Sequence, residues 1–464
     1  MTLSEKYTEM TATPVRRLVL RLAIPTTISM MVTSLYNIVD AAFVGHLSTE
    51  ATAGIGVSFA YMIVVQALGF FFGHGSGNYI SRALGAKQQA TATTMAAVGF
   101  FTTLLLGLAM AVGFGLHLPM LARLLGATPD VVPFAAEYLK YIVWATPFMM
   151  SALTLNNQLR LQGNARYGMV GIVTGAVLNI VLDALFIPVL GWGVTGASLA
   201  TAISQTVSCG LLLIGTMRPD SVHIRLRHFH PSLKAYHEIM MGGMPSLCRQ
   251  VFNCTAAICL NYAAASYAPE GQAASVVAAF AVVTRTMMFA FSIVLGVNHG
   301  FQPVAGFNYG AKRYDRVRQS YLFTLLVSTA LLLVISATGY IFAPEIIRLY
   351  RDEDPVMLAV GIKALRYQCM AFTLIGLSTT TNMLFQVIRM PIRSTLISIG
   401  RQGIFFLPPL FLLPPCIGLQ GVILTQPIAD VTTCLFSVPF AVWISRKLQR
   451  MSAAALADGG HSEQ

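Results

Sequence analysis

Five stretches of this sequence, 51–81, 88–122, 184–217, 319–344 and 402–429, contain no Asp, Glu, Lys or Arg. Each is longer than the roughly 20 residues that carry a helix across about 30 Å of hydrocarbon. Shorter apolar runs, such as 22–39 and 141–159, fill the intervals. Of the 464 residues 55% are hydrophobic and 10% charged, against about 25% charged in soluble domains. A soluble protein of this length cannot cover its surface with so few charges, which excludes a soluble enzyme, a disordered chain and a disulfide-stapled one. The pattern predicts an all-α polytopic membrane protein with twelve transmembrane helices. They are expected over 17–44, 52–81, 91–117, 133–158, 167–190 and 194–217, then 234–266, 273–305, 317–343, 357–386, 393–416 and 419–447.

An even number of spans puts both termini on one side, and positive charge chooses the side. Of the 30 Lys and Arg, 21 fall in segments on the side of the N-terminus and 3 (Arg123, Arg348, Arg351) on the other. Both termini are therefore expected in the cytosol, in a bacterial inner or plasma membrane. The first apolar segment is too long for a signal-peptide core and lacks a small-residue cleavage site, so it reads as a retained span. The net charge of +12 belongs to loops beside anionic headgroups, not to a nucleic-acid surface. The seven cysteines lie in apolar stretches with no CxxC pair, as small core residues do.

The longest cytosolic loop, 218–233, divides the chain into an N-lobe over 17–217 and a C-lobe over 234–447, flanked by a cytosolic segment 1–16 and a tail 448–464. The halves resemble each other. His74-Gly75 followed by Gly85-Ala86-Lys87 recurs as His299-Gly300 followed by Gly310-Ala311-Lys312, and Gly193-x-x-Gly196 recurs as Gly418-x-x-Gly421, always 225 residues on. Pro25 and Pro245 open the first span of each half. With six spans per half the repeats share an orientation, which predicts two pseudo-symmetric six-helix lobes around a central cavity.

Shared glycines and prolines report shared backbone geometry; the informative residues are those the repeat does not copy. The positions 225 residues beyond Asp40, Asn179 and Asp183 hold Ala265, Ile404 and Pro408. An Asp at bilayer depth costs about 2.5–3.5 kcal/mol on insertion scales and needs a proton, a cation or a buried base. Tyr36 with Asp40, and Asn179 with Asp183, are spaced i, i+4 and share a helix face. Thr201 adds a hydroxyl. The set forms an oxygen-rich pocket suited to Na⁺ or to a shared proton.

Three segments carry a family resemblance: Asp40-Ala-Ala-Phe-Val-Gly45, the run from Gly296 to Lys312 with Gln302-Pro303, Gly306 and Asn308-Tyr309-Gly310-Ala311-Lys312, and the run from Gly421 to Pro427-Ile-Ala-Asp430. Together they resemble the multidrug and toxic compound extrusion (MATE) family, in its MepA-like bacterial branch, across essentially the whole chain. The resemblance implies cation-coupled efflux of varied, often cationic and aromatic drugs, with Asp40, Asn179, Asp183 and Thr201 at the positions that carry coupling Na⁺ or H⁺. It implies a bend in span 1 at Pro25. The sequence departs from branches with acidic sites in spans 7 and 8, which here carry Arg249 and Arg285 and no acid at mid-membrane depth.

Further candidates follow from residue chemistry. Arg401 and Asp430, opposite in charge and both intramembrane, are expected to pair, structurally or along a proton path. Met30, Met31, Tyr36, Met62, Arg285, Met287 and Phe289 are candidates for the substrate cavity, since methionine and aromatic walls adapt to varied ligands. His74 and His299 suit packing or capping near cytosolic helix ends. Glu137 and Lys140 suit an interfacial i, i+3 pair, and Gly73-x-x-x-Gly77 suits a close-packing helix face. No GxxxxGK[ST] loop is present, so no ATP use is expected. The resulting expectation is a monomeric secondary active exporter, not an enzyme, working by alternating access. It needs no cofactor beyond its coupling ion. The rival is a flippase of lipid-linked precursors, with Arg249, Arg285 and Arg401 facing lipid phosphate.

Overall fold

The computed structural model describes residues 2–45, 49–350 and 354–460; Arg351 and the end of the expected tail lie outside them. A short helix α1 (Leu3–Ala12) precedes α2 (Val15–Gly45), α3 (Thr49–Gly85) and α4 (Gln89–Gly115). After short α5 (Leu118–Leu124) come α6 (Val132–Leu161), α7 (Ala165–Ala184), a π-helical turn at Leu185–Val189, and α8 (Gly193–Gly215). The second half runs through α9 (Leu233–Ser266), α10 (Ala273–Gly310), α11 (Tyr314–Ile341) and short α12 (Ala343–Arg348). It continues with α13 (Pro355–Phe372), α14 (Ile375–Val387), α15 (Pro391–Ile399), a π turn at Gly400–Ile404, α16 (Leu407–Ile417) and α17 (Leu419–Gly460).

Nine of these segments are long and apolar enough to span a membrane, and α13 with α14 makes a tenth, bent by 55°. The remaining two of the twelve are α6 and α9, with 30 and 34 residues. Their polarity has a structural cause: Asn157, Gln158 and Arg160 on α6 and Glu238 on α9 are buried against protein. Elsewhere the outer faces are apolar, with Ile24, Leu105, Val181, Leu326 and Leu435 exposed, as lipid contact requires. Helix α17 runs past the expected end of its span. The glycines at 69, 73 and 77 seat α3 on α6, where added Cβ atoms would meet Leu153, Asn157 and Leu161 in turn.

The halves are built alike down to the turns. Lys87 and Lys312 both close their Gly-Ala-Lys motifs in the left-handed region, at φ 60° and 57°. Each amide caps the preceding helix, Lys87 on the Leu84 carbonyl (3.0 Å) and Lys312 on that of Tyr309 (3.1 Å).

The cores show how the lobes meet. One apolar cluster belongs to the N-lobe alone (Ile55, Val65, Ile142, Ile187) and another to the C-lobe alone (Leu260, Phe280, Leu365, Phe406). A third is shared, with Leu18, Leu22, Phe72 and Ile80 packing with Ile239, Phe301, Phe307 and Leu384. All its members lie toward the end of the bundle that carries α1 and the 218–232 loop. The cross-lobe hydrogen bonds fall there too: Thr26 Oγ1 donates to the Gly296 carbonyl (2.6 Å) and Arg82 Nη1 to that of Val387 (2.7 Å), while Asn308 Nδ2 ties α1 to the C-lobe through the Met10 carbonyl (3.1 Å). The lobes are joined at one end and separately cored at the other.

Backbones touch at the joint. A Cβ on Gly75 would overlap the Ile239 carbonyl, and one on Gly300 would overlap the Ala23 backbone. Gly300→Leu is therefore expected to wedge the joint, at an overpacking cost of about 1–3 kcal/mol. A Ser246→Cys reporter, buried at the joint in the parent, should react faster with a membrane-impermeant maleimide; an unchanged rate would show that the joint tolerates the side chain.

Candidate functional site

The polar cluster of the N-lobe draws on four helices. α2 supplies Tyr36 and Asp40, α6 supplies Tyr138, α7 supplies Asn179 and Asp183, and α8 supplies Thr201 and Ser204. Glycines bring α7 and α8 together: a Cβ on Gly175 would meet Ser208, and one on Gly196 would meet Phe186. The π turn with Pro188 begins two residues beyond Asp183, and such interruptions recur beside functional sites.

Asn179, Asp183, Thr201 and Ser204 are buried. Asn179 Nδ2 donates to Thr201 Oγ1 at 3.4 Å. The carboxyl groups of Asp40 and Asp183 face each other closely enough to share a hydrogen bond once one is protonated, and Tyr36 and Tyr138 lie within reach of both charges. Both oxygens of Asp183, Oδ1 of Asp40, Oδ1 of Asn179 and Oγ of Ser204 are buried without a hydrogen-bond partner among the described residues. Two ionised carboxylates are acceptors only, and buried acceptors without donors are costly. The arrangement suits a proton shared between the acids or a cation held among oxygens. Among the described residues no three His, Cys, Asp or Glu side chains converge as a metal site; the donors here are two acids, an amide and hydroxyls.

The structure thus brings Asp40, Asn179, Asp183 and Thr201 together, with Tyr36 beside them. Tyr138 and Ser204 join them unforeseen. Tyr138 donates to Met62 Sδ at 3.7 Å, and Met62 is buried in the N-lobe core. Met287 packs against the C-lobe cores. Met30, Met31 and Phe289 are half-buried, and Arg285 is exposed. Pro25 lies inside the continuous α2. Arg401 and Asp430 form the expected pair, Nε to Oδ1 at 2.8 Å, with Gln426 donating to the same oxygen (3.0 Å). The expected Glu137–Lys140 pair does not form. The Glu137 carboxylate instead accepts from the Thr195 hydroxyl, while the Lys140 ammonium lies 5.5 Å from the centre of the Tyr141 ring.

His74 and His299 meet at the joint, with ring centroids 5.8 Å apart. Between the lobes lies Arg160 of α6, which donates to the His299 carbonyl (2.9 Å) and Gln302 Oε1 (2.7 Å) in the C-lobe and to Asn157 Oδ1 (2.8 Å) in its own. Its Nη2 also approaches His74 Nε2 at 3.2 Å. Its run Asn156-Asn157-Gln158-x-Arg160 was the available signal, since so polar a helix end must meet protein.

Two lobes of six spans, with an unmatched acidic centre inside one of them, define a twelve-helix membrane transporter. The profile of the MatE family matches residues 25–185 and 257–412, and the chain belongs to that family. It is 26% identical over 437 residues to the multidrug export protein MepA of Staphylococcus haemolyticus (strain JCSC1435), covering 94% of each chain. To MepA of Staphylococcus aureus (strain MSSA476) it is 24% identical over 449 residues, covering 96% of this chain and 97% of that one. Among solved structures it resembles a MATE transporter in the straight conformation (27% identity, TM-score 0.89, 96% and 99% coverage). A multidrug resistance MATE family transporter in an outward-facing conformation is as similar (27%, 0.89, 96% and 98%).

Proposed function

We propose that this chain is a secondary active exporter of structurally varied amphipathic, often cationic compounds, driven by H⁺ or Na⁺ bound at Asp40, Asn179, Asp183 and Thr201. The observation that carries the reading is the set of buried, donorless oxygens in the N-lobe. The export activity in the names of the MepA relatives supports the substrate class. The charge bias of the loops supports a cytosolic N-terminus and C-terminus. On that orientation the joined end faces the cytosol and the conformation is outward-facing, like that of one structural relative. A monomer is the simplest working unit, a reading supported by the completeness of the cluster within one chain.

Helix α2 links ion to gate. It presents Asp40 to the cluster, and about 21 Å back along the helix it binds the C-lobe through Thr26. Thr26 also bonds back to the Leu22 and Ala23 carbonyls, both in the turn that precedes Pro25. A ligand shifts such an equilibrium only through different affinities in the two states. The ion therefore has to hold the two acids in an arrangement that one lobe orientation favours, and α2 transmits that preference to the joint.

The test is ethidium transport by proteoliposomes under a proton gradient and, separately, a Na⁺ gradient. The reading expects one gradient to drive accumulation against concentration. Equilibration alone under both gradients would refute coupled export.

A further inference from the structure

The C-lobe has a polar centre of its own, with the opposite charge. A cavity of about 50 Å³ is lined by Arg249, Asn253, Phe291, Asn382, Arg401 and Gln402, among others. Its walls come from α9, α10, α14, the α15 span with its π turn, and α17. Counted from the start of each half, α9, α14, α15 and α17 correspond to α2, α6, α7 and α8, the four helices of the acidic cluster. The 225-residue repeat sets Asn382 on Asn157 and Gln426 on Thr201. One lobe is acidic where its twin is basic.

The two arginines differ in kind. Arg401 is neutralised by Asp430 and lies over the Phe291 ring, 4.8 Å from its centroid. Arg249 makes no hydrogen bond and no ion pair among the described residues, and no carboxylate acts on it. It stands about 24 Å along α9 from Leu233, too deep for its side chain to reach the membrane surface. Asn253, one turn further on, and Gln402 line the same cavity and bond to no other side chain among the described residues. A half-buried guanidinium with no acceptor of its own calls for one, and its planar fork matches a carboxylate or phosphate.

We propose that the Arg249 cavity is the subsite for an anionic group, carboxylate or phosphate, of a transported amphiphile, with Asn253 and Gln402 as further donors and Phe291 as an apolar wall. This rests on the exporter reading and narrows its substrates, adding zwitterionic and acidic amphiphiles to the cationic ones. The N-lobe acids and the C-lobe arginine would then serve different ligands, ion and substrate, without competing for one charge.

A matched dye pair tests it: rhodamine B, with a free carboxylate, and its ethyl ester, titrated by fluorescence anisotropy onto the purified protein in phosphatidylcholine nanodiscs. The parent should bind the acid about tenfold tighter than the ester. Arg249→Gln should erase that preference and leave ester affinity within about twofold, which also reports that the variant is folded. Arg249→Lys, which keeps the charge without the fork, should retain part of the preference. Equal affinity of the parent for both dyes, or an unchanged preference in Arg249→Gln, would overturn the proposal. Dihexanoyl phosphatidic acid as competitor separates the sources of the anion: displacement of rhodamine B admits a lipid headgroup, and no displacement confines the subsite to the carboxylate. Loss of gradient-driven transport of both dyes with the binding preference intact would remove the exporter reading and leave the subsite standing.

Discussion

Asp183→Asn is expected to lower gradient-driven ethidium transport by about 100-fold, the upper part of the range that coupling free energies span, with expression and folding preserved. Asn matches Asp in shape but can neither carry a proton nor balance a cation. It also supplies the NH₂ donor that the buried acceptors around it lack, so the protein should fold at least as well. Asp40→Asn should give the same loss. On the proposed mechanism the two acids work as one pair, so the double variant should transport no worse than either single variant, as happens when residues act as a unit. Initial rates in proteoliposomes under the driving gradient decide this. Single variants that each keep half the parent rate would remove the acids from the coupling step.

The second large effect lies at the joint. Arg160→Met keeps most of the side-chain volume but strips hydrogen bonds from the His299 carbonyl and Gln302 Oε1 across the lobe boundary. Each acceptor left dry costs about 1–3 kcal/mol, so the joined state should lose about 2–6 kcal/mol relative to the separated one. About 5.5 kcal/mol carries a two-state equilibrium from 1:99 to 99:1, so the loss is enough to populate the opened joint heavily. Maleimide labelling of the Ser246→Cys reporter should then accelerate by at least about tenfold. Arg160→Lys, with one ammonium in place of the fork, should fall between. A labelling rate equal to the parent's would mean that the glycine contacts and the shared apolar cluster hold the joint without Arg160.

Much of this was legible because membranes are strict about charge. Long uncharged runs leave little choice but spanning helices, and the Gly-Ala-Lys repeat announced the two lobes. Asp40 and Asp183 stood out because an acid at that depth is expensive, and their i+4 neighbours followed from helix geometry. Tyr138 and Ser204 did not, since one hydroxyl among many costs little to bury and leaves no trace in the sequence. Arg160 was misplaced for a different reason. Charge counting assigns an arginine at the end of a span to a loop beside headgroups, whereas α6 carries it into the contact between lobes. Arg82 is a similar case: it closes α3 yet meets Glu238 of the other lobe at 3.5 Å. Loop charges and joint charges look alike in one dimension. Met62 and Met287 show the converse, since methionines that suit a pliable cavity also suit a lobe core.

On the proposed mechanism, an ion between Asp40 and Asp183 sets the relation between the lobes. The most direct measurement is the distance between spin labels at Arg166→Cys and Ile392→Cys, one per lobe near the joined end, with the seven native cysteines replaced. Distances would be recorded by pulsed electron resonance in nanodiscs with and without the driving ion. The expected result is an ion-dependent change in the distance distribution that disappears in Asp183→Asn. An ion response of the same size in Asp183→Asn would contradict it.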